Sequence, residues 1–147
     1  MSYASPASHR GATMYARLGV ETSAGSASPH QLISMLFEGA SGAIAMARHH
    51  MAEGRVKPKG EAISRAINIV ANGLKASLDA EAGGAEGARL ASNLGELYDY
   101  VIRRLMAGNL HNDPAALDEA ARLLESVASA WREIDPALAR PAQPVAA

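Results

Sequence analysis

The chain has 147 residues, a formal net charge of -1 and no cysteine, and 48% of its residues are hydrophobic whereas only 4% are aromatic. This length predicts one domain, and the alanine-rich, aromatic-poor composition favours closely packed helices over a β-sheet. The balanced charge provides no basic footprint for nucleic acid, and no apolar run is long enough to span a bilayer. We therefore expect an all-α protein of the cytoplasm that binds no nucleic acid and does not insert into a membrane.

The two ends of the chain predict little regular structure. Residues 1–13 are small and polar and cannot bury enough surface to offset their chain entropy, so we expect a disordered tail. Residues 14–20 can form one or two helical turns anchored by Tyr15, Leu18 and Val20, and a connector rich in Ser, Ala and Gly follows. Residues 136–147 form a Pro/Ala-rich tail. The helical domain is therefore predicted to cover residues 14–135.

The first long helix starts at a capping box. Ser28 is the predicted N-cap, Pro29 occupies the first helical position, and Gln31 occupies the third. An apolar face continues to about Glu53, where residue 54, a glycine, ends the helix. Two glycines inside this helix, at positions 39 and 42, cost helix stability and so suggest close approach by another helix.

The second helix, predicted from about Pro58 to Ala82, carries two apolar stripes. One is formed by large side chains, namely Ile63, Ile67, Val70, Leu74 and Leu78. The other is a strip of mainly small residues, namely Ala62, Ala66, Ile69, Gly73, Ala76 and Ala80. Such a strip is typical either of a shallow groove that accepts a helix of a partner or of packing against a neighbouring helix of the same chain.

Two further helices are predicted at 85–110 and 114–135, the second starting at an Asp113-Pro114 cap. In the third helix Tyr98 lies on the apolar stripe, whereas Tyr100 lies on the polar side and is expected to meet solvent or a partner. Asp99 has the spacing to pair with Arg103. Short connections between helices of this length predict an antiparallel up-and-down four-helix bundle.

The histidines do not form a recognisable reactive site. His49 and His50 are adjacent on a helix and about 100° apart, so they cannot face one metal ion as residues four apart would. The pattern expected around a phosphotransfer histidine is also missing, as are a glycine-rich phosphate loop after a strand and a serine elbow. We therefore predict no catalytic residue, no metal and no cofactor, and a protein that is not an enzyme.

Several motifs in one order resemble the flagellin-specific export chaperones of the FliS family. They are Tyr15 with Val20 and Thr22; Ala27-Ser28-Pro29-x-x-Leu32 followed by Met35-Leu36-Phe37-Glu38-Gly39-Ala40; Ser77-Leu78-Asp79 with Gly83-Gly84; Asn93-Leu94-x-x-Leu97-Tyr98-Asp99-Tyr100 with Arg104-Leu105; and Ala130-Trp131. The match covers about residues 14–135. The chain departs from the family in a longer connector over 22–28 and in an expanded segment over 84–92.

The resemblance implies a helical bundle of the bacterial cytosol that binds the disordered C-terminal segment of flagellin, prevents premature polymerisation and helps present flagellin to a component of the export gate. Our hypothesis for the contact is that amphipathic flagellin helices enter surface grooves, and that residues 15–20 cover one groove until flagellin displaces them. The candidate partner-binding residues are Tyr15, Leu18, Val20, Ala62, Ala66, Ile69, Gly73, Ala76 and Tyr100. The alternative is a small helical adaptor or self-associating bundle; we expect a monomer or a weak homodimer.

Overall fold

Four α-helices dominate the part of the chain that a computed structural model describes, residues 27–79 and 81–134. They are α1 (Pro29–Ala52), α2 (Val56–Ile69), α3 (Gly84–His111) and α4 (Pro114–Glu133). None of these helices is long and apolar enough to cross a membrane. The all-α prediction is confirmed, whereas the predicted tails and the segment 14–20 lie outside the described residues.

The predicted caps of α1 and α4 are confirmed. The Ser28 side chain accepts a hydrogen bond of 3.1 Å from the Gln31 backbone, and the Ser28 backbone N–H donates to Gln31 Oε1 at 2.8 Å. The Asp113 carboxylate accepts from the backbone of Ala115 at 3.0 Å. Both caps satisfy backbone donors that the first turn of a helix leaves without partners.

The second helix differs from its prediction at both ends. It begins at Val56 rather than at about Pro58, and after Ile69 the backbone continues as a π-helical turn, Val70–Leu74, and a 3-10 turn, Lys75–Ser77. Leu78 is then extended, with φ -70° and ψ 136°. The helical backbone therefore ends at Ser77, several residues before the predicted Ala82, because the wide π-helical turn is followed by a tight 3-10 turn and then by extended backbone.

Contacts between side chains on different helices define the topology. His30 at the start of α1 meets Trp131 at the end of α4, and Arg48 near the end of α1 pairs with Asp118 near the start of α4 at 2.7 Å. Lys59 at the start of α2 reaches Asn109 at the end of α3. These pairings make α1 antiparallel to α4 and α2 antiparallel to α3, as an up-and-down bundle requires.

The core lies between the four helices, and α2 contributes to it from both of its apolar stripes. Ile63 from the large stripe and Ala66 and Ile69 from the small strip are all fully buried. The buried cluster consists of Leu36, Phe37, Ala40, Ala43, Ile44, Ala47, Ile63, Ala66, Ile69, Val70, Leu74, Tyr98, Val101, Leu105, Leu117, Ala120, Leu124 and Ala128. The two stripes are therefore the flanks of one buried face.

Lys59 is the charged residue in the core of the described chain, and it ties α2 to α3. Its side chain is 4% exposed, and its ammonium group donates to the Asn109 carbonyl at 3.0 Å and to Asn112 Oδ1 at 2.5 Å. Asn112 caps the C-terminus of α3 in the left-handed conformation, with φ 49°. The lysine thus satisfies carbonyl groups at the negative end of the α3 dipole, where a cation is favoured.

Tyr100 is used within the bundle. Its hydroxyl donates to Glu119 Oε2 of α4 at 2.8 Å, and Arg104 donates to the other carboxylate oxygen at 2.6 Å. The hydrogen bond from Tyr100, followed by that from Arg104, lowers the pKa of the Glu119 carboxyl, while the same bond to Glu119 raises the pKa of Tyr100. Tyr100 is half-buried and so still meets solvent, as expected, while its hydroxyl is bonded to α4, which the sequence did not indicate. A role of Tyr100 in binding a partner stays a prediction.

The two glycines at positions 42 and 108 provide a matched pair of stability tests. An alanine Cβ at Gly108 would lie 2.7 Å from Leu117 Cδ2, and Leu117 is fully buried, so we expect Gly108→Ala to lower the free energy of unfolding by about 1–2 kcal/mol. Gly42 is exposed and nothing lies within 4 Å of its added Cβ, which overturns the predicted close approach there. Gly42→Ala should therefore raise stability by up to about 1 kcal/mol. Urea denaturation measures both values, and equal effects of the two substitutions would contradict this packing.

The Glu119 carboxylate predicts a specific acid sensitivity. Because its pKa in the folded state is below the ordinary value of 4.5, it stabilises the fold above that pH, and this contribution is lost as the pH falls through the lowered pKa. We expect Glu119→Gln to make the free energy of unfolding fall less steeply below about pH 4.5. Tyr100→Phe, which removes the main cause of the shift, should give an intermediate slope. Denaturation at a series of pH values would refute the linkage if Glu119→Gln kept the slope of the unsubstituted protein.

Candidate functional site

An apolar cavity of about 100 Å³ opens at the end of the bundle where α1 begins and α4 ends. All four helical segments of the bundle contribute to its wall, which consists of Ile33, Phe37, Leu74, Ser77, Leu78, Leu94, Tyr98, Val127 and Trp131. An apolar cavity of about 150 Å³ can bind benzene, so this one has room for a small apolar group.

The cavity combines a buried floor with a partly exposed rim. Phe37, Leu74 and Tyr98 are no more than 3% exposed and form the floor. Ile33, Leu78, Leu94, Val127 and Trp131 are half-buried and pack against the core cluster. An apolar side chain that enters the cavity from solvent would lose its own contact with water and would cover the partly exposed rim. Both changes bury apolar surface, which favours binding.

A reciprocal contact between His30 and Trp131 holds one wall of the cavity. The two rings stack with centroids 4.7 Å apart and an interplanar angle of 12°. The indole N–H donates to the His30 carbonyl at 3.0 Å, and His30 Nε2 donates to the Trp131 carbonyl at 2.9 Å. This pair joins the first turn of α1 to the last turn of α4, so the tryptophan both packs against the core and forms part of the cavity wall.

Another part of the wall is formed by the segment that follows α2. Leu74 is the last residue of the π-helical turn, and Leu78 follows the 3-10 turn in extended conformation. Lys75 pairs with Asp99 of α3 at 2.7 Å, which joins this segment to the third helix and replaces the Asp99–Arg103 pair that the spacing predicted. Turns of π-helix are uncommon and frequently occur at functional sites, so the change of backbone at this wall supports the cavity as a site.

The cavity offers no reactive group. Burial raises the pKa of Tyr98 to about 12, so its phenol is neutral at physiological pH. Within residues 27–79 and 81–134, no three His, Asp or Glu side chains are grouped so that they could hold a metal ion. His49 and His50 lie at the other end of α1, with ring centroids 5.7 Å apart. The chemistry available at the cavity is the binding of apolar groups.

The structure places most of the predicted α2 strip away from any open surface. Ala66 and Ile69 are fully buried and Gly73 is buried too, whereas Ala62 is half-buried and Ala76 is exposed. Of the two alternatives for this strip, the three buried residues follow packing against neighbouring helices of the same chain and not an open groove. Tyr15, Leu18 and Val20 lie outside the described residues.

The cavity itself was not predicted from the sequence. Its rim residues, such as Ile33, Leu78 and Leu94, read as ordinary members of amphipathic stripes. The sequence could have indicated the cavity only through the positions of these residues, because they lie on helix segments that meet at one end of an antiparallel bundle. What the sequence did not indicate is the π-helical turn that places Leu74 and Leu78 around the cavity.

Comparison with known proteins identifies the family. The family model described as "Flagellar protein FliS" matches residues 11–138. The flagellar secretion chaperone FliS of Salmonella typhimurium is 53% identical over 126 residues, which cover 86% of this chain and 90% of the relative. The FliS of Escherichia coli is 42% identical over 124 residues, 84% of this chain and 88% of the relative. The chaperone named FliSB of Pseudomonas aeruginosa is 40% identical over 117 residues, 80% and 89% of the two chains. The resemblance seen in the sequence motifs is thus confirmed, and the chain belongs to the FliS family of flagellar proteins.

Proposed function

We propose that this protein is a flagellar export chaperone that acts in the bacterial cytosol by binding the disordered C-terminal segment of flagellin. The names of its relatives, flagellar secretion chaperones, support this role. Bound in this way, flagellin is kept from polymerising early and is delivered to the export apparatus, where a component of the gate is a further partner. The function is one of binding and release, without a catalytic step.

The single observation that carries the proposal in this chain is the apolar cavity between the helix ends. A disordered client gains affinity by burying apolar side chains, and it must offset the free-energy cost of its own ordering. A preformed recess lowers that cost because the chaperone side is already arranged. We assign the cavity as the anchor point for an apolar side chain of the flagellin segment, in place of the buried strip Ala66, Ile69 and Gly73.

Residues 15–20 are suited to occupy the same cavity when flagellin is absent. The connector 21–27 leads from Val20 to the start of α1, and its seven residues can span at most about 25 Å. His30, in the first turn of α1, is stacked on Trp131 of the cavity wall. Tyr15, Leu18 and Val20 are therefore within reach of the cavity, and in this proposal they protect it from water and are displaced by the client.

A substitution at the rim tests the cavity. Leu78→Glu places a carboxylate at the half-buried wall, and loss of one buried apolar contact of about 1.5–3 kcal/mol should weaken binding of the C-terminal flagellin peptide about tenfold or more. Isothermal titration with this peptide measures the change, and a peptide from the flagellin N-terminus is the specificity control. Met46→Glu, on a side chain that is 53% exposed in α1 and outside the cavity, should leave the affinity unchanged.

Two results would contradict parts of the proposal separately. If the unsubstituted protein is folded and monodisperse but binds no C-terminal peptide, flagellin is not its client. The alternative function, a helical adaptor or a self-associating bundle, is then favoured. If the unsubstituted protein and the Leu78→Glu variant bind the peptide equally well, flagellin is the client but the cavity is not the site that anchors it.

A further inference from the structure

A second exposed apolar surface lies at the opposite end of the bundle from the cavity. Val56 at the start of α2 is 68% exposed, and Met106 and Leu110 near the end of α3 are 56% and 77% exposed. We call these three residues, with Arg55, Lys57 and Arg103 beside them, the α2–α3 shoulder. Leu94 of the cavity and Leu110 of the shoulder are separated by about 24 Å along α3, so one surface does not extend into the other.

The contacts of Lys59 bring the two parts of the shoulder to one end of the molecule. The Lys59 ammonium group bonds the Asn109 carbonyl and the Asn112 side chain at the end of α3. Val56, one turn earlier in α2, lines a small pocket together with Lys59 and Asn112. Because the buried lysine joins α2 to α3 at this point, the first turn of α2 and the last turns of α3 are held in a fixed relation.

The apolar residues of α3 lie on the flank that faces α2. Asp99, Met106 and Leu110 follow one another at steps of seven and four residues, so they share one side of the helix. Asp99 on that side pairs with Lys75 of the segment after α2. Ile102, half-buried against the core, lies between them and continues the stripe inward. Ile102, Met106 and Leu110 thus follow one another at i, i+4 and i+8, a spacing that can receive the apolar face of an amphipathic helix.

The charge around these side chains favours an acidic partner. Arg55, Lys57 and Arg103 are exposed, and no ion pair joins any of them to another residue in the described part of the chain. Arg103 lies over the Tyr100 ring at 5.8 Å, which leaves its guanidinium able to bind a carboxylate. The neighbouring acidic residue Asp99 is already neutralised by Lys75. Glu53 and Glu61 are the acidic residues nearest in sequence to Arg55 and Lys57, and within the described residues neither forms an ion pair with them.

We propose that the α2–α3 shoulder docks an acidic amphipathic helix of a partner protein. Apolar side chains of that helix pack on Val56, Met106 and Leu110, and its carboxylates pair with the three basic residues. Complementary charge steers the encounter and selects against basic helices. Because the cavity and the shoulder are separate, the partner and the client of the cavity can be bound at the same time.

The test uses the full chain and a designed helical peptide built from leucine and glutamate, beside a second peptide in which every glutamate is replaced by lysine. We expect the glutamate peptide to bind at least tenfold more tightly than the lysine peptide, with an affinity that falls as salt is added. Isothermal titration gives the affinities, and backbone amide NMR shifts should be largest around Val56, Met106 and Leu110. Equal affinity for the two peptides would overturn the proposal.

Variants distinguish the shoulder from a general apolar effect. The double variant Met106→Glu/Leu110→Glu should bind the glutamate peptide at least tenfold more weakly. The control variant Met46→Glu/Leu90→Glu changes side chains that are 53% and 60% exposed and lie outside the shoulder, and it should bind the peptide as the unsubstituted protein does. Arg55→Glu/Lys57→Glu should weaken binding of the glutamate peptide as well. Because all of the substituted apolar residues are more than half exposed, the variants are expected to fold. An equal loss in the control pair would refute the assignment.

Two alternative occupants are detected by the same samples. Light scattering that shows a concentration-dependent dimer, abolished by Met106→Glu/Leu110→Glu, would assign the shoulder to a second copy of the chain and overturn the proposal. Binding of the C-terminal flagellin peptide is measured in parallel and should be unchanged in this variant. Loss of flagellin-peptide binding in this variant would assign the shoulder to the client site and overturn the proposal of a separate partner. If only the acidic peptide fails to bind, the shoulder proposal is overturned and the chaperone proposal is unaffected.

Discussion

The burial of one continuous face of α2 is the constraint on which the rest of this structure depends. Ile63, Ala66, Ile69 and Val70 are fully buried together, so both apolar flanks of the helix are used to join it to its neighbours. The small residues Ala66 and Gly73, which are buried beside these large side chains, let the helix backbones approach closely, which gives the dense packing on which core stability depends. The buried residues of the small strip, Ala66, Ile69 and Gly73, therefore cannot also contact a partner.

The two binding surfaces that we propose lie instead at the ends of the bundle, where helices start and stop. At one end, the stacked pair His30–Trp131 and the π-helical turn before Leu78 enclose an apolar cavity. At the other end, buried Lys59 joins α2 to α3 beneath an exposed apolar stripe. Each end is held by polar contacts that are themselves satisfied, so the apolar groups beside them are rigidly placed. Rigid placement lowers the entropy that a chaperone loses when a disordered client binds.

The ties between helices differ in what they contribute. The Arg48–Asp118 pair between α1 and α4 is exposed, and pairs of this kind are worth at most about 1 kcal/mol. The Lys59 contacts are buried, and removing one partner of such a set leaves polar groups without hydrogen bonds at a cost of about 1–3 kcal/mol. The exposed pair therefore adds little to the contact between α1 and α4, while the buried lysine is essential to the joint between α2 and α3.

The sequence by itself determined the features that depend on neighbours along the chain. The Ser28 and Asp113 caps, the glycine after α1, the four helices and their antiparallel order all follow from local hydrogen bonding, helical periodicity and short connections. Tertiary structure alone decided which apolar stripe is covered, that Asp99 pairs with Lys75 rather than Arg103, and that Tyr100 bonds Glu119. The physical reason is that periodicity identifies an apolar face but not the surface against which it packs. Residues distant in the chain supply that surface, and at Val70–Leu74 their packing accompanies a π-helical turn that no local pattern had indicated.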